Sequence, residues 1–229
     1  FKPEVMICIP AGSTQVEKRA VEDAALSAGA RNVFMIPEPL AAAIGIGIPI
    51  GQPSGNMLVD IGGGACEATV ISLGEVVVSK SLRVAGTKLD DAIGLYIRKK
   101  HGLLVGETTA EEIKIMIGSA IKLKEVKKMT IKGRDSISGL PKKIEVSTNE
   151  VAEAIKTPLS QIIGLVKSVL EEVPPELASD IIDKGIVLAG GTTLLRNLDK
   201  LLTESTGVPC HVAEEPMLVV IKGIGIVLE

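Results

Sequence analysis

Four short stretches carry residues whose types and spacing could do chemistry. In Leu58-Val59-Asp60-Ile61-Gly62-Gly63-Gly64 an aspartate closes an apolar run and three glycines follow. Such glycines expose backbone N–H groups and, having no Cβ atoms, let a polyphosphate come close. A carboxylate beside phosphates suits a hydrated magnesium ion, which keeps most of its waters and favours oxygen ligands. The same residues also suit a plain hairpin turn. Leu188-Ala189-Gly190-Gly191-Thr192 repeats the scheme: a strand, two glycines and a predicted helix whose N-terminus could take an anion. It serves equally as a strand-to-helix packing turn. Glu38 stands between Pro37 and Pro39 at a strand-to-helix junction, where a carboxylate could orient water or simply favour the first turn of a helix. Glu111 and Lys114 share one helical face, able to reach a ribose or adenine, or to form a surface ion pair. Neither Gly-x-Gly-x-x-Gly nor Gly-x-x-x-x-Gly-Lys-Ser/Thr occurs, which argues against Rossmann and P-loop sites.

The elements that must hold these residues alternate. Val5–Ile9 is a short apolar run rich in β-branched residues, expected as a strand buried on both faces. Ser13 offers an N-cap to a helix over Glu17–Leu26, which Gly29 ends. Val33–Ile36 reads as a second strand and Pro39–Ile44 as the start of a small-residue helix. Strand, helix, strand, helix is the α/β pattern. Past the linker Gly51–Gly55, three runs (57–60, 67–72 and 76–81) form a β-meander with the glycines in its first turn. Helices are predicted over 90–100 and 110–117, short strands at 130–131 and 144–146, and a solvated lysine face at Lys122, Lys124, Lys127 and Lys128. Ser147-Thr148-Asn149-Glu150 caps a long helix to about Glu172, broken near Pro158. Pro175 opens another helix, Ile186–Leu188 is a further strand, and Leu194–Leu202 a further helix.

Composition narrows the function. The 229 residues are 46% hydrophobic and 23% charged with a net charge of -3, ordinary for a soluble globular protein. A mildly acidic chain with no Trp, one Tyr and two Phe lacks both the basic stripe and the stacking platforms of a nucleic-acid binder. Its core must be Ile, Val, Leu and Ala. Cys8, Cys66 and Cys210 lie far apart, so neither a zinc site nor a disulfide framework is indicated and a reducing cytoplasm fits. No apolar run reaches the ~20 residues of a membrane helix. The chain opens on Phe1-Lys2-Pro3 and reads as part of a longer protein.

Taken in order, these motifs resemble the superfamily of actin, sugar kinases and DnaK-type ATPases, and within it the MreB-type bacterial actins. The likeness rests on Gln15–Ala20, Glu38–Gly45, Gly55–Gly64, Arg83–Gly86, Ala110–Ile115, Pro174–Ala178, Gly185–Leu188 with Leu194–Arg196, and Glu214–Pro216. It runs nearly end to end. The resemblance implies an α/β fold of the actin-like (ribonuclease H-like) ATPase type, incomplete at the N-terminus. Residues 1–52 with 209–229 would be part of domain IA, 53–90 with 148–208 domain IIA, and 91–147 an inserted IIB. By the same resemblance Asp60 with Gly62, Gly63 and Gly64 would form a phosphate loop, Asp60 facing magnesium through water. Glu38 would activate the hydrolytic water, Glu111 and Lys114 would flank ribose and base, and Gly190 and Gly191 would hold ATP or ADP from the other side.

The role implied is an ATP-dependent filament of self-associated subunits beneath the inner membrane face. It would work with cell-wall synthesis and rod-complex membrane proteins to maintain rod shape, with no nucleic-acid partner. Membrane attachment in that family uses apolar elements near the N-terminus, of which Phe1 alone would remain. The chain departs from the family pattern at Ala65 and Cys66, where threonines are usual, at Pro37 and Thr192, and at Thr87 and Lys88. Leu218, Val219, Ile221 and Ile224 are bulkier than usual, with overpacking expected near the nucleotide. An actin-fold scaffold with weak or no hydrolysis is the alternative these departures raise. A DnaK-like chaperone or sugar kinase would need a peptide-binding domain or sugar site that this sequence lacks.

Overall fold

The computed structural model describes residues 2–228; Phe1, the one residue suggested for membrane contact, lies outside them. Strand β1 (Glu4–Ile9) runs parallel to β2 (Asn32–Pro37), joined by α1 (Gln15–Ser27). The cap of α1 is Thr14 rather than Ser13: its hydroxyl accepts from the Glu17 amide while the Glu17 carboxylate accepts from the Thr14 amide. The expected two-sided burial of β1 is not found. A two-stranded sheet is too narrow to be covered on both faces, and most of β1 and β2 is only half-buried.

Helix α2 (Glu38–Ile46) starts directly from β2 and ends at Gly47 in the left-handed conformation. It packs on α9 (Val219–Leu228) through an unusually close crossing. A Cβ on Gly223 would lie 1.7 Å from the Ala41 carbonyl oxygen, and one on Gly45 would lie 1.9 Å from that of Val219. Ala41, Ala42 and Ala43 are wholly buried beneath it. Of the bulky residues noted at the C-terminal end, Val219 is buried against Ala42 and Ile224 is buried, while Leu218 and Ile221 are exposed.

The central sheet has the order β10-β9-β3-β4-β5, built from β3 (Asn56–Ile61), β4 (Cys66–Ser72), β5 (Glu75–Leu82), β9 (Ile186–Ala189) and β10 (Cys210–Val212). The meander strands are antiparallel, and β9 and β10 continue the sheet in parallel with β3. Strand β10 pairs in parallel with β9, so residues 210–212 form one edge of the central sheet. The core on one face is Ile, Val and Leu from β3, β4, α3 (Gly86–His101), α4 (Glu107–Ile117) and α6 (Lys156–Leu170). On the other face Leu58 packs with Ala42, Ala189, Ala213 and Val219.

A three-stranded sheet of β6 (Leu103–Leu104), β7 (Lys128–Asp135) and β8 (Pro141–Ser147) accompanies α3 and α4. The long helix predicted to Glu172 is two: α5 (Thr148–Ala154) and α6, parting at Ile155 just ahead of Pro158. Proline excludes the helical conformation for the residue before it less strictly than it removes an amide, so the break falls where the missing donor would be needed. α7 (Pro175–Lys184) begins at its proline as expected. The helix expected over 194–202 is a 3-10 turn, Gly191–Leu194, followed by α8 (Leu198–Thr206). Among the described residues no helix is long and apolar enough to cross a membrane.

Candidate functional site

In β3 and β4 every residue is buried except Asp60 and Glu67. These two stand directly opposite each other in the antiparallel register. Like charges so placed destabilise a sheet, which marks the spot as one kept for something other than stability. Asp60 shares its face of β3 with Leu58, the face against α2 and α9, which brings it toward Glu38 at the start of α2. Burial raises the Asp60 carboxyl to about 6, with Glu38 and Glu67 adding to the effect. Burial and then Glu67 raise Glu38 as well. The Glu67 carboxylate accepts from Ser79 Oγ at 2.9 Å, and Ser79 in turn meets Thr69 Oγ1 at 2.8 Å.

The glycine turn is laced from behind. The Gly62 carbonyl accepts from the Gly86 amide at 3.1 Å and from Thr192 Oγ1 at 2.7 Å, and the Gly63 carbonyl accepts from the Thr87 amide at 2.8 Å. The outer side of the turn is open: a Cβ on Gly63 or Gly64 would meet nothing within 4 Å. This turn separates two cavities that meet at Gly63. One, of about 480 Å³, is walled by Glu38, Asp60, Glu67, Gly62–Gly64 and the Pro10–Ser13 loop. The other, of about 450 Å³, is walled by Asp90, Glu111, Lys114, Gly191, Thr192 and Met217, among others.

Eight of the nine residues singled out from sequence therefore line one cavity or the other. The ninth, Gly190, lines neither. It has φ +85°, and a Cβ there would come within 2.5 Å of Asp60 Oδ1 and of the Ile61 carbonyl oxygen. A bare glycine there lets the turn after β9 pass close against the Asp60 carboxylate. Two carboxylates were missed. Glu67 was legible in principle, since a tight turn after Asp60 puts the seventh residue on opposite Asp60; Asp90 carried no such local signal. Lys114 is not a free surface cation: its Nζ lies 2.9 Å from Asp90 Oδ2, both side chains about one-eighth exposed at 12% and 13%.

Whether a cation fits can be judged from the donors. No ion pair among the described residues neutralises Glu38, Asp60 or Glu67; after burial, Glu67 raises the pKa of Glu38, and Glu38 and Glu67 both raise that of Asp60. Yet among the described residues no three His, Cys, Asp or Glu side chains are grouped tightly enough to grip a bare metal ion. The set fits a cation held through its water shell, the habit of magnesium.

The sequence family described as MreB/Mbl protein matches residues 1–229. The chain belongs to the MreB/Mbl family. It is 51% identical over 227 residues to the cell shape-determining protein MreB of Escherichia coli K12, covering 99% of this chain and 65% of that protein. It is 46% identical over 228 residues to the cell shape-determining protein Mbl of Bacillus subtilis, covering 100% of this chain and 68% of that one. The chain thus spans about two-thirds of these relatives, and slightly less in the case of MreB. The crystal structure of MreB5 of Spiroplasma citri bound to ADP superposes with a TM-score of 0.94 at 40% identity, over 97% of this chain and 68% of that one. The MamK double helical filament superposes at 0.81 with 20% identity, over 100% of this chain and 69% of that one, a likeness of fold. The fold is therefore actin-like.

Against the MreB/Mbl pattern, the two departures after the glycines turn out to differ. Cys66 is wholly buried in β4, its thiol pushed up to about 12 by burial and then by Asp60, and it faces the core. Ala65 is exposed and lines the acidic cavity. Only Ala65 can alter what that cavity offers a ligand.

Proposed function

We propose that this chain is the nucleotide-binding part of an MreB-type bacterial actin that polymerises with ATP into filaments at the inner membrane face, organising cell-wall synthesis and rod shape. The observation that carries the reading is the open glycine turn between two cavities, one lined by the four carboxylates Glu17, Glu38, Asp60 and Glu67 together with Arg83, the other by Lys114, Glu111 and Met217 among others. In this reading the turn Gly62–Gly64 receives the phosphates through the amides of Gly63 and Gly64, the Gly62 amide donating to the Ala65 carbonyl at 3.0 Å, and Asp60 with Glu67 accepts from the water shell of magnesium. The metal's charge would offset that of the phosphates and of the carboxylates around them. Glu38 orients the attacking water from the start of α2, while Glu111 and Lys114 flank the nucleoside. The protein's work is thus positioning and charge neutralisation, with little covalent chemistry. Nucleotide binding would stiffen the arrangement of the elements on either side of the cleft and favour a filament-competent state. The domain division proposed is residues 1–52 with 209–229 as part of domain IA, 53–90 with 148–208 as domain IIA, and 91–147 as the inserted IIB. The MreB5 structures bound to ADP and AMPPNP support the nucleotide reading by relationship.

Calorimetry of the full-length protein with magnesium-ATP tests it, with Asp60→Ala as the control. Saturable binding that the variant loses supports the proposal; no binding by the unaltered protein sinks it. Ala65 favours one second reading, an actin-fold scaffold that binds nucleotide but hydrolyses it poorly, because its methyl group offers no hydroxyl to the acidic cavity. Phosphate release measured alongside pelleting separates the two: polymer without turnover would favour the scaffold.

A further inference from the structure

Lys114 reaches its place through another helix. It projects from α4, and the carboxylate that meets it, Asp90, belongs to the first turns of α3, 24 positions earlier in the chain. Both residues line the 450 Å³ cavity, and both side chains are largely withdrawn from solvent. Lys114 Nζ also lies 3.5 Å from the Gly86 carbonyl, at the base of the turn that laces the glycine loop. The far end of α4 is tied down separately: Arg196 donates from Nε to the Gly118 carbonyl and from Nη2 to the Ile117 carbonyl, each at 2.8 Å. Helix α4 is thus anchored at its C-terminus by one cation, leaving the Lys114 side chain to be directed by Asp90.

The Asp90 carboxylate is only half used. Oδ2 accepts from Lys114, whereas Oδ1 is buried and receives no donor from the described residues. A pair kept solely to pin two helices together gains nothing from an unsatisfied buried oxygen, since each such atom costs stability. A pair at the wall of a cavity whose ligand brings its own donors has a reason to keep one. A long, flexible lysine also loses much side-chain entropy when fixed, and prior fixing by Asp90 removes that cost from the binding step.

We propose that Asp90 is a positioning residue for the nucleoside half of the site, holding Lys114 in its binding orientation across the α3–α4 boundary. The inference rests on the nucleotide reading above and deepens it. It makes a split prediction. Removing the Asp90 charge weakens binding of the nucleoside part but leaves the phosphate part at the glycine turn untouched.

The test uses the full-length protein, with magnesium-ATP and magnesium-tripolyphosphate as paired ligands in calorimetry. Asp90→Asn is expected to weaken ATP at least tenfold and tripolyphosphate less than twofold. Asp90→Glu, which keeps the charge, is expected to recover part of the loss. The loss in the double variant Asp90→Asn with Lys114→Met should fall well short of the product of the two single losses, because both remove the same interaction. The proposal is overturned if Asp90→Asn leaves ATP affinity within twofold, if both ligands weaken alike, or if the two losses multiply in full. Should Asp90→Asn not fold, judged by circular dichroism, Asp90→Ser carries the same comparison. If the unaltered protein binds no ATP, it is the nucleotide reading that falls; if it binds ATP and Asp90→Asn matches it, only the positioning role does.

Discussion

Burial beside Glu38 and Glu67 sets stability and binding against each other at Asp60. Its folded pKa of about 6 lies above the ordinary aspartate value of 3.8, so the folded protein holds this proton more tightly than the unfolded chain does. Above pH 6 both states are ionised and the folded state bears the whole penalty, on the order of 3 kcal/mol. As pH falls from about 6 to about 4 only the folded state takes up the proton, and stability from this group rises. Asp60→Asn removes the penalty. We expect it to raise unfolding stability at pH 7.5 by ~1–3 kcal/mol in urea titrations, to flatten the slope between pH 6 and 4, and to lose magnesium-nucleotide binding. A variant less stable than the parent at pH 7.5 would refute the account. Glu150 acts with the opposite sign. Burial raises its pKa, but hydrogen bonds from Ser147 and Lys100 outweigh that and hold it at about 2, so its contribution is present above the ordinary value of 4.5 and is lost as pH falls through that range toward 2. Cys66, buried and with its thiol near 12, should react with a thiol reagent only as fast as the protein unfolds. Rapid native-state labelling at Cys66, read by peptide mass, would contradict its placement.

At the scale of elements, the crossing of α2 and α9 aims Glu38 at the acidic cavity. That crossing depends on two glycines, because a Cβ at Gly45 or Gly223 would collide with backbone oxygen that cannot swing aside. Gly223→Ala is expected to destabilise by ~3 kcal/mol or more, through forced separation of the helices. Gly225 lies on the same helix with nothing within 4 Å of a built Cβ. Gly225→Ala should therefore stabilise, by up to about 1 kcal/mol from helix propensity alone. Denaturant midpoints for the two alanine variants check the pair, and equal shifts in one direction would rule out the tight crossing. The α5–α6 junction shows how far local signals reach. The capping box of Ser147 and Glu150 and the break before Pro158 were both legible, because caps and prolines act within one helical turn. The 3-10 turn at Gly191–Leu194 was not, since it follows from Gly190, which leaves the strand beside β3 at φ +85° and passes close against Asp60 and Ile61.

For the whole molecule, ligand binding and folding should be linked. If the cleft takes magnesium-ATP, a hundredfold excess over Kd stabilises the folded state by about 2.7 kcal/mol, seen as a higher melting temperature that Asp60→Ala does not share. Sedimentation with and without ATP tests assembly at the same scale, and no polymer under either condition would remove the filament from the proposal. The lysine face contributes little to either outcome. Lys122 pairs with Glu153 and Lys128 with Glu145, but these side chains are roughly half or more exposed, and such pairs are worth at most ~1 kcal/mol.

The sequence by itself determined the alternating α/β order, the glycine turn after Asp60, the aliphatic core and the family likeness. These are written in periodicity, capping and contiguous motifs, whose physical range is a few residues. The tertiary structure alone decided that Glu67 faces Asp60, that Asp90 pairs with Lys114, that Thr192 ties the glycine turn from 130 positions away, and that the Gly190 turn comes up against Asp60. Each of these depends on strand register or on a contact between distant segments. Local pattern leaves such contacts open, because many pairings bury the same apolar faces and only the packed molecule selects one.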